Sequence, residues 1–525
     1  MKTVRALGAT LTGTGAELVT VEARFEPRDK TRTEIVLTGL PDAVLRESKG
    51  RLECALEENG LSLASGRLFL NLVPAALKKS GEILDLPIAL AAAAACGHFD
   101  ARVLKGALFL GELSIDGRLS AVPGGLASAI AAQRGGVQRV FAPAATAEEA
   151  AAIGELEVFM AAHLAQVLSH LCGGAHTLER LPAPSDEAPA GDEASHGEDA
   201  SSIDDVRGCG VAKHALAVAA AGGHGLLFVG PPGAGKSLLA RRLVRLLPPP
   251  TRAERIEITQ VLSAAGRWPR GLARTRPFRA PHHTISYAGL VGGGPNASAG
   301  EITLAHRGVL FLDELPEFRR EVLEALRQPL ETGSISISRA QRHVELPARF
   351  QLVAAMNPCP CGYLGHPRKS CRCPPSFIDR YRRRISGPLL DRIELCLEVT
   401  PPGIEELAPT RSARLPETHA ALRKRLAASP SESELVQSVQ RALALSEARQ
   451  GVRRNAALSG EELDLFAPLD DASRALLAAH AGRAGLSARA LQSLRRVART
   501  VADLEGEPVA DVRHHAQAVA LRRPP

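Results

Sequence analysis

The sequence predicts an α/β protein with a mixed α+β domain at its amino-terminal end, a parallel sheet flanked by helices in its centre, and helices at its carboxyl-terminal end. Three observations lead to this prediction. A chain of 525 residues is too long for one core. The stretch His176–Ser202 has almost no large apolar residues and separates two globular parts. After it, short apolar strands alternate with helical segments, and beyond Pro416 the pattern is helical.

Composition indicates a soluble, cytoplasmic protein with a polyanionic partner. Hydrophobic residues make up 45% of the chain, and the longest apolar run, Leu84–Cys96, is too short to span a bilayer. The formal net charge is +7, but eight of the 57 acidic residues lie between Leu181 and Asp205. The rest of the chain is therefore strongly basic, which favours nucleic acid as a partner. A solvated, arginine-rich surface is the alternative interpretation.

Residues 1–172 are predicted to form the α+β domain, and residues 173–203 a flexible acidic linker. The domain has β-like runs and helical patterns but neither a phosphate loop nor a cluster of metal ligands. The expected strands are Glu34–Leu37, Leu68–Val73, Ala107–Gly111 and Leu113–Ile115, and the expected helices are Ala43–Glu58 and Leu126–Gln133.

A phosphate-binding loop follows the linker. The segment Gly230-Pro-Pro-Gly-Ala-Gly-Lys-Ser237 has the pattern G-x-x-x-x-G-K-[ST] between an expected strand, Leu226–Val229, and an expected helix, Ser237–Leu247. Lys236 would reach the β- and γ-phosphates of ATP, and Ser237 would ligate Mg²⁺. The residues expected to surround the nucleotide are Gly230, Pro231, Pro232, Gly233, Ala234, Gly235, Lys236, Ser237 and Leu238.

Two further strands are expected to end in residues that complete this chemistry. Val309–Leu312 runs into Asp313 and Glu314. Asp313 would hold Mg²⁺ through water, and Glu314 would act as the general base for the attacking water. The third strand, Phe350–Ala354, leads towards Asn357, which could orient that water. The alternative for Asn357 is a turn-forming residue.

Basic residues outside the loop are candidates for other phosphate contacts. Arg392 could serve as an arginine finger, although its position does not separate it from Arg380 or Arg382–Arg384. The segment Thr332–Pro347 is predicted to form a β-hairpin that grips a DNA backbone, with a solvated charged turn as the alternative. The residues expected near its tip are Arg339, Arg342 and His343.

Four cysteines form a cluster, Cys359-x-Cys361-x₉-Cys371-x-Cys373. Four thiolates within fifteen residues suit tetrahedral Zn²⁺ in a structural site. The C-x-C spacing is tighter than the usual C-x₂-C. Free thiols or a redox pair are therefore the alternatives.

These motifs, in this order, resemble the ComM/YifB family of magnesium-chelatase-like AAA+ proteins over nearly the whole chain. The segments that carry the resemblance are Arg276–Thr284, Gly300–Glu314, Ala354–Gly362 and Ser386–Ile393. The resemblance implies a central AAA+ P-loop NTPase domain with a parallel sheet at residues 204–400 and a C-terminal helical lid at residues 401–525. It also implies a homo-oligomer, a hexameric ring, with ATP sites between subunits.

The same resemblance implies roles for individual residues and an activity. Arg392 would be the finger acting in trans, and Arg489 the sensor-2 arginine on the lid. The hairpin would lie in the channel of the ring. The implied activity is ATP-driven unwinding and branch migration of single-stranded or branched DNA, which helps to integrate DNA during natural transformation.

The amino-terminal domain resembles the proteolytic domain of Lon, which has a ribosomal S5 domain 2-like fold, most clearly in Leu110–Leu126. Peptidase chemistry there needs a serine activated by a lysine. Where that domain has its serine, this chain reads Asp85-Leu-Pro-Ile-Ala89, and where it has its lysine, this chain has Ala127. Ser80 with Lys78 or Lys79 is a poor substitute. The resemblance therefore implies a non-catalytic domain.

Three other functions are compatible with these motifs. The first is a magnesium-chelatase-type remodeller of a protein complex. The second is an ATP-dependent protease, which the missing serine and lysine disfavour. The third is a scaffold that binds ATP with little turnover.

Overall fold

The computed structural model describes most of the chain. The residues outside the described part are 1–2, 29–32, 40–41, 64, 76, 78, 80–81, 176, 183–201, 207–208, 294–297, 340–341, 367–368, 401–429 and 524–525. No helix within the described part combines the length and the apolar character needed to cross a bilayer.

The amino-terminal domain contains a mixed sheet in the strand order β10-β9-β8-β5-β1-β2-β4-β3. Its strands are β1 (Val4–Thr12), β2 (Gly15–Pro27), β3 (Glu34–Thr38), β4 (Gly66–Val73), β5 (Ala107–Phe109), β8 (Arg139–Ala142), β9 (Glu157–Met160) and β10 (Arg180–Leu181), and β6 (Glu112–Leu113) pairs separately with β7 (Leu119–Ser120). The helices are α1 (Asp42–Glu58), α2 (Asp85–Ala95), α3 (Gly125–Arg134), α4 (Ala144–Ala151) and α5 (Leu164–Leu171).

Helix α2 is the buried centre of this domain. Its residues from Asp85 to Ala94 are buried because the helix is apolar on every side. It packs so closely on the sheet that a Cβ atom added to Gly8 of β1 would lie 2.9 Å from Cγ of Pro87. The expected strands did not include β1 and β2, which form the longest antiparallel pair of the sheet.

Part of the predicted linker, residues 173–203, is a strand. Arg180 and Leu181 form β10 and pair with β9. Leu178 and Leu181 also pack against the core, which gives this short segment an apolar anchor. Most of the predicted linker, residues 183–201, lies outside the described residues.

The central domain is built on a parallel sheet in the order β12-β15-β18-β11-β19. Its strands are β11 (Leu226–Val229), β12 (Phe278–Arg279), β15 (Val309–Leu312), β18 (Gln351–Met356) and β19 (Leu395–Glu398), with two separate hairpins, β13 (Gly292–Gly293) with β14 (Ser298–Ala299) and β16 (Ser334–Arg339) with β17 (Arg342–Pro347). The helices are α6 (Gly210–Gly222), α7 (Lys236–Leu246), α8 (Arg252–Ala264), α9 (Tyr287–Val291), α10 (Glu301–Leu304), α11 (Arg320–Ala325), α12 (Pro329–Thr332), α13 (Pro375–Arg382) and α14 (Gly387–Leu390).

The three strands expected in the central domain and the expected hairpin are confirmed. The strands preceding the phosphate loop and the acidic pair have the predicted bounds. The third strand runs on to Met356, directly before Asn357. In β11 and β15 every residue is buried, as expected for strands covered on both faces.

The carboxyl-terminal part is helical. Its helices are α15 (Glu432–Gln450), α16 (Gly460–Phe466), α17 (Asp471–Ala484), α18 (Ala488–Glu505) and α19 (Val512–Ala520). Ser487 caps α18, since its hydroxyl accepts a hydrogen bond from the amide of Ala490. On the apolar face of α18, Leu494, Val497 and Val501 are buried.

A buried polar network joins the helical part to the sheet. His224, fully buried before β11, contacts Glu394 at 2.6 Å and the hydroxyl of Thr500 at 2.7 Å. Asn455 donates to both Thr500, at 3.0 Å, and Asp503, at 2.8 Å. Buried polar groups of this kind fix one relative arrangement, because each is costly to leave unpaired.

The amino-terminal domain docks on the central domain through helix α8. The hydroxyl of Ser263 donates to the buried carboxylate of Glu149 at 2.6 Å, and Arg252 donates to the carbonyl of Ile153 at 3.1 Å. At Gly13, in the β1–β2 turn, an added Cβ would meet the side chains of hairpin β16–β17 at 2.8 Å. The first domain therefore contacts the base of this hairpin.

Candidate nucleotide-binding site

The phosphate loop connects β11 to α7. Gly233 and Gly235 have φ angles of +79° and +81°, which side chains disfavour, and Gly235 is the residue before α7. A Cβ at Gly230 would lie 2.2 Å from the carbonyl oxygen of Val399 in the neighbouring strand region. The glycines are thus required by backbone geometry. The loop opens towards the amino-terminal end of α7, which attracts anions.

Lys236 is held inside this loop. Its ammonium group donates to the carbonyls of Gly230, at 2.6 Å, and Pro231, at 3.0 Å, and to the side chain of Asn357 at 3.1 Å. Burial lowers the pKa of Lys236, while the nearby carboxylate of Asp313 acts against that shift. A phosphate placed in the loop would supply the negative charge that the buried ammonium lacks.

Ser237 and Asp313 meet at the position expected for Mg²⁺. The hydroxyl of Ser237 donates to Asp313 Oδ2 at 2.6 Å, and the amide of Glu314 donates to Asp313 Oδ1 at 2.9 Å. Mg²⁺ prefers oxygen ligands and usually keeps several waters. A hydroxyl and a carboxylate beside the phosphate loop fit that requirement.

Glu314 has a left-handed backbone conformation, with φ of +53°. This conformation is uncommon for residues other than glycine and marks strain at many functional positions. The side chain of Glu314 is half exposed, and its Oε2 atom lies 3.3 Å from Nδ1 of His283. Glu314, the predicted general base, therefore lies next to the loop but is in contact with His283.

Sequence reasoning missed His283. It lies in the segment that follows β12. Its ring packs against His282 in a tilted arrangement, with 4.1 Å between centroids, and meets Phe318 edge-on. β12 pairs with β15, the strand that ends at Asp313. The available signal was a polar residue shortly after β12. Parallel strands end at the same edge of the sheet, so a residue that follows β12 can lie beside the acidic pair that follows β15.

The cysteine segment packs against the phosphate loop. A Cβ added to Gly362 would lie 2.7 Å from Cδ of Pro232 and 3.8 Å from the side chain of Asn357. Asn357 directly precedes this segment and contacts Lys236. Whatever fixes the cysteine segment therefore also fixes one wall of the nucleotide site.

The four sulfur atoms of Cys359, Cys361, Cys371 and Cys373 all lie within 4.8 Å of one another. Cys359 is 3.4 Å from Cys361, and Cys371 is 3.6 Å from each of them. Bonds of about 2.3 Å to a tetrahedral Zn²⁺ would place sulfur atoms roughly 3.8 Å apart. Backbone amides lower the pKa of the Cys361 thiol to about 6. At Cys371 and Cys373 a backbone hydrogen bond acts in the same direction, but burial and the neighbouring sulfur atoms outweigh it and raise the pKa of both thiols. The donor set fits a structural zinc ion.

Arg392 and Arg489 lie at the other edge of the sheet. Arg392 precedes β19, and Arg489 lies in the first turn of α18. Both bind Glu331: Arg392 Nη2 lies 2.7 Å and Arg489 Nη1 3.3 Å from its carboxylate oxygens. The sequence does not predict this pairing or the role of Glu331.

These arginines line a cavity of about 350 Å³. Residues at the amino-terminal ends of the strands, including Gly225, Gly308 and Gln351, also line it, whereas the phosphate loop follows the carboxyl-terminal end of β11. Seven arginines and three acidic residues contribute to its wall. The cavity is therefore basic and belongs to the edge opposite the phosphate loop.

The hairpin β16–β17 has the predicted position, with Arg339 paired to Arg342 across the last register. The expected DNA contacts at its tip, Arg339, Arg342 and His343, have side chains outside the described part of the structure. Nearer the base, Ile335 and Val344 are buried.

In the amino-terminal domain, Asp85 is buried beside Arg51, whose guanidinium lies 3.0 Å from its carboxylate. Burial raises the pKa of Asp85 to about 6. Ala127 is buried in α3, and Lys79 donates to the carbonyls of Pro74, at 2.5 Å, and Leu77, at 3.1 Å. Ser80 and Lys78 lie outside the described residues.

Comparisons with known proteins agree with the motifs. Residues 202–407 match the family described as magnesium chelatase, subunit ChlI, residues 21–146 match subunit ChlI of Mg-chelatase, and residues 429–522 match the ChlI C-terminal family. Competence protein ComM of Haemophilus influenzae is 39% identical over 518 residues, which cover 97% of this chain and 95% of that protein.

Two further relatives differ in extent. The uncharacterized protein YifB of Salmonella typhimurium is 38% identical over 497 residues, covering 93% of this chain and 91% of that protein. DNA replication licensing factor MCM3 homolog 1 of Zea mays is 27% identical over 158 residues, which cover 30% of this chain and 18% of that protein. The similarity to the maize protein is thus confined to a part of each chain.

Proposed function

Because the chain belongs to the ComM/YifB family of magnesium-chelatase-like AAA+ proteins, we propose that it is an ATP-hydrolysing ring motor that acts on DNA by branch migration. Membership of this family implies ATPase activity. The observation that carries the proposal is that the groups needed for hydrolysis are divided between the two edges of the central sheet. The phosphate loop and the carboxylates lie at one edge of the central sheet, and Arg392 and Arg489 lie at the other.

One subunit supplies the groups that bind and attack ATP. The loop amides and Lys236 hold the terminal phosphates, and Lys236 would exchange its carbonyl partners for phosphate oxygens. Ser237 and Asp313 would hold Mg²⁺, which would supply positive charge against the negative charge that develops on the phosphates. Glu314 accepts a proton from the attacking water once it leaves His283, and Asn357 orients that water.

The arginines require a second copy of the chain. The four residues of β11 separate the loop from Gly225, which lines the arginine cavity, and a four-residue strand spans about 13 Å. An arginine finger must contact the phosphoryl oxygens of the transition state. We infer that Arg392, with Arg489 beside it, serves the nucleotide of a neighbouring subunit in a closed ring of six.

DNA is the proposed substrate of the motor. The basic charge of the chain suits a phosphate backbone, and the hairpin β16–β17 would present Arg339, Arg342 and His343 to it without reading bases. One close relative is named for competence and a partial relative for DNA replication. Both names are compatible with a task on single-stranded or branched DNA.

The four cysteines are proposed to hold a structural zinc ion. Their sulfur atoms converge, and the segment that carries them packs on Pro232 of the phosphate loop. The ion would have no open coordination position and would take no part in hydrolysis. Its effect would be to hold the wall formed by Gly362 beside Asn357.

The test is branch migration of a three-stranded DNA substrate by the purified protein. We expect strand exchange that requires ATP, together with ATPase activity stimulated by branched DNA. Glu314→Gln serves as the control that binds ATP without turnover. ATPase stimulated by protein partners and unaffected by any DNA would contradict the proposal.

A magnesium-chelatase-type remodeller remains the second candidate, and the descriptions of the matching families favour it. Such a protein would use the same ATP chemistry on a protein complex. The same assay separates the two, because a remodeller would hydrolyse ATP faster with its protein partner and would not move a DNA branch.

A further inference from the structure

Glu331 occupies an unusual position for an exposed acidic side chain. Two arginines from distant parts of the chain converge on it, Arg392 before β19 and Arg489 in α18, at 2.7 and 3.3 Å. The two guanidiniums bind different carboxylate oxygens, Oε2 and Oε1 respectively. A single carboxylate therefore holds together the two residues proposed to act on a neighbour's nucleotide.

Glu331 is also next to the hairpin. It lies in α12, a single helical turn that reaches β16 through Gly333. The amide of Gly333 donates to Pro329, and the carbonyl of Gly333 accepts from Ala348 at the end of β17. A Cβ at Gly333 would lie 2.8 Å from the side chain of Arg349. This tight joint connects α12 to both ends of the hairpin, so displacement of Glu331 would be transmitted to its base.

The basic cavity is lined both by α12 and by the two arginines. Leu330 and Gly333, which flank Glu331 and the end of α12, line the same cavity as Arg392 and Arg489. The Nε atom of Arg392 is buried without a hydrogen-bond partner. A phosphate group entering this cavity would compete with Glu331 for both guanidiniums.

We propose that Glu331 is a positioning residue that holds Arg392 and Arg489 until the terminal phosphate of a neighbouring subunit's ATP replaces it, and that its release shifts the hairpin. The inference deepens the proposed function and rests on it. Exposed carboxylate–arginine pairs are weak, whereas phosphate offers more charge and a bidentate geometry to arginine. The exchange links nucleotide occupancy in one subunit to the DNA-facing element of the next.

The test is Glu331→Gln in the full-length, assembled protein. With the carboxylate removed, Arg392 and Arg489 need no displacement, so ATPase without DNA should rise about 3- to 10-fold in kcat with little change in KM. Stimulation by branched DNA should fall towards 1-fold, because the hairpin is no longer coupled. Glu331→Asp should restore part of the stimulation.

Glu324→Gln is the matched control. Glu324 is a nearby acidic residue that pairs with Arg327 at 2.6 Å, three residues along, and it does not contact Arg392. We expect this variant to keep the wild-type rates with and without DNA. A change in Glu324→Gln equal to that in Glu331→Gln would overturn the inference, since it would reflect general loss of negative charge.

The remaining outcomes distinguish the inference from the proposed function. If Arg392→Ala loses hydrolysis while Glu331→Gln keeps wild-type rates and stimulation, only the role of Glu331 fails. A lower basal rate in Glu331→Gln would also overturn it, because Glu331 would then support the arginines rather than compete with phosphate. If Arg392→Ala hydrolyses ATP normally, the arrangement in trans fails, and the role of Glu331 fails with it.

Discussion

The two edges of the central sheet differ in how complete they are within one chain. At the nucleotide edge, Ser237 already meets Asp313, and Lys236 meets Asn357. At the arginine edge, Arg392 and Arg489 both bind the carboxylate of Glu331, which belongs to the same chain. Under the proposed function, one subunit would bind ATP and would need a second copy of the chain to hydrolyse it.

Arg392→Ala should have the largest effect. Loss of an arginine finger costs about 10³- to 10⁵-fold in turnover, whereas the loop of the same subunit should bind nucleotide unchanged. ATPase assays and binding of a fluorescent ATP analogue test the two statements separately. Arg380→Ala is the control, because Arg380 lies on α13 beside Phe377. Equal losses of turnover in Arg392→Ala and Arg380→Ala would show that Arg392 has no special role at the arginine edge.

Glu314→Gln removes the base at the nucleotide edge and should lower turnover by about 10²- to 10⁴-fold. Nucleotide binding should persist, because the loop and Lys236 are untouched. Lys236→Ala, in contrast, should lose productive binding. A Glu314→Gln variant with a turnover near that of the wild type would show that the base is another residue.

Cys371→Ser should loosen the cysteine segment that packs against the phosphate loop. Loss of one sulfur ligand is expected to reduce zinc content and to lower ATPase by about 10- to 100-fold, because the cysteine segment packs on Pro232. Cys172→Ser, at an exposed cysteine outside the cluster, serves as the control. Elemental analysis of the freshly purified, reduced protein checks the metal, and a wild-type protein without zinc would refute this part.

Thr500→Val should have the smallest effect and should act at the arginine edge. The substitution leaves the buried His224 and Asn455 without the hydroxyl that they share. The free energy of unfolding should fall by about 1–3 kcal/mol, which denaturant titration can measure. Thr332→Val, at an exposed hydroxyl with local partners, provides the control. Unchanged stability would show that this network does not hold the helical part to the sheet.

The nucleotide edge could be predicted from the sequence because its groups follow strand ends in recognisable local patterns. The glycines of the phosphate loop and the acidic pair after β15 are each encoded within a few residues. The long pair β1–β2 was missed although β2 carries the signal of a half-buried strand, since the buried Val19, Val21 and Ala23 alternate with more exposed polar residues. The edge strand β10 was missed for another reason, since two residues carry no periodicity.

The contacts of the arginine edge could not be predicted, because they depend on tertiary packing. Glu331 is 61 residues from Arg392 and 158 residues from Arg489 along the chain. Nothing in a local pattern distinguishes Glu331 from other exposed acids. His283 is an intermediate case, since its position after β12 becomes informative only when β12 is known to pair with β15.

Mixing two inactive variants tests the central claim most directly. Arg392→Ala retains a complete nucleotide edge, and Glu314→Gln retains a complete arginine edge. Rings assembled from both should contain sites with an intact Glu314 facing an intact Arg392, so the mixture should regain ATPase activity that neither variant has alone. Mixed rings, verified by differently tagged subunits, that remain as inactive as the separate variants would contradict a site shared between two copies of the chain.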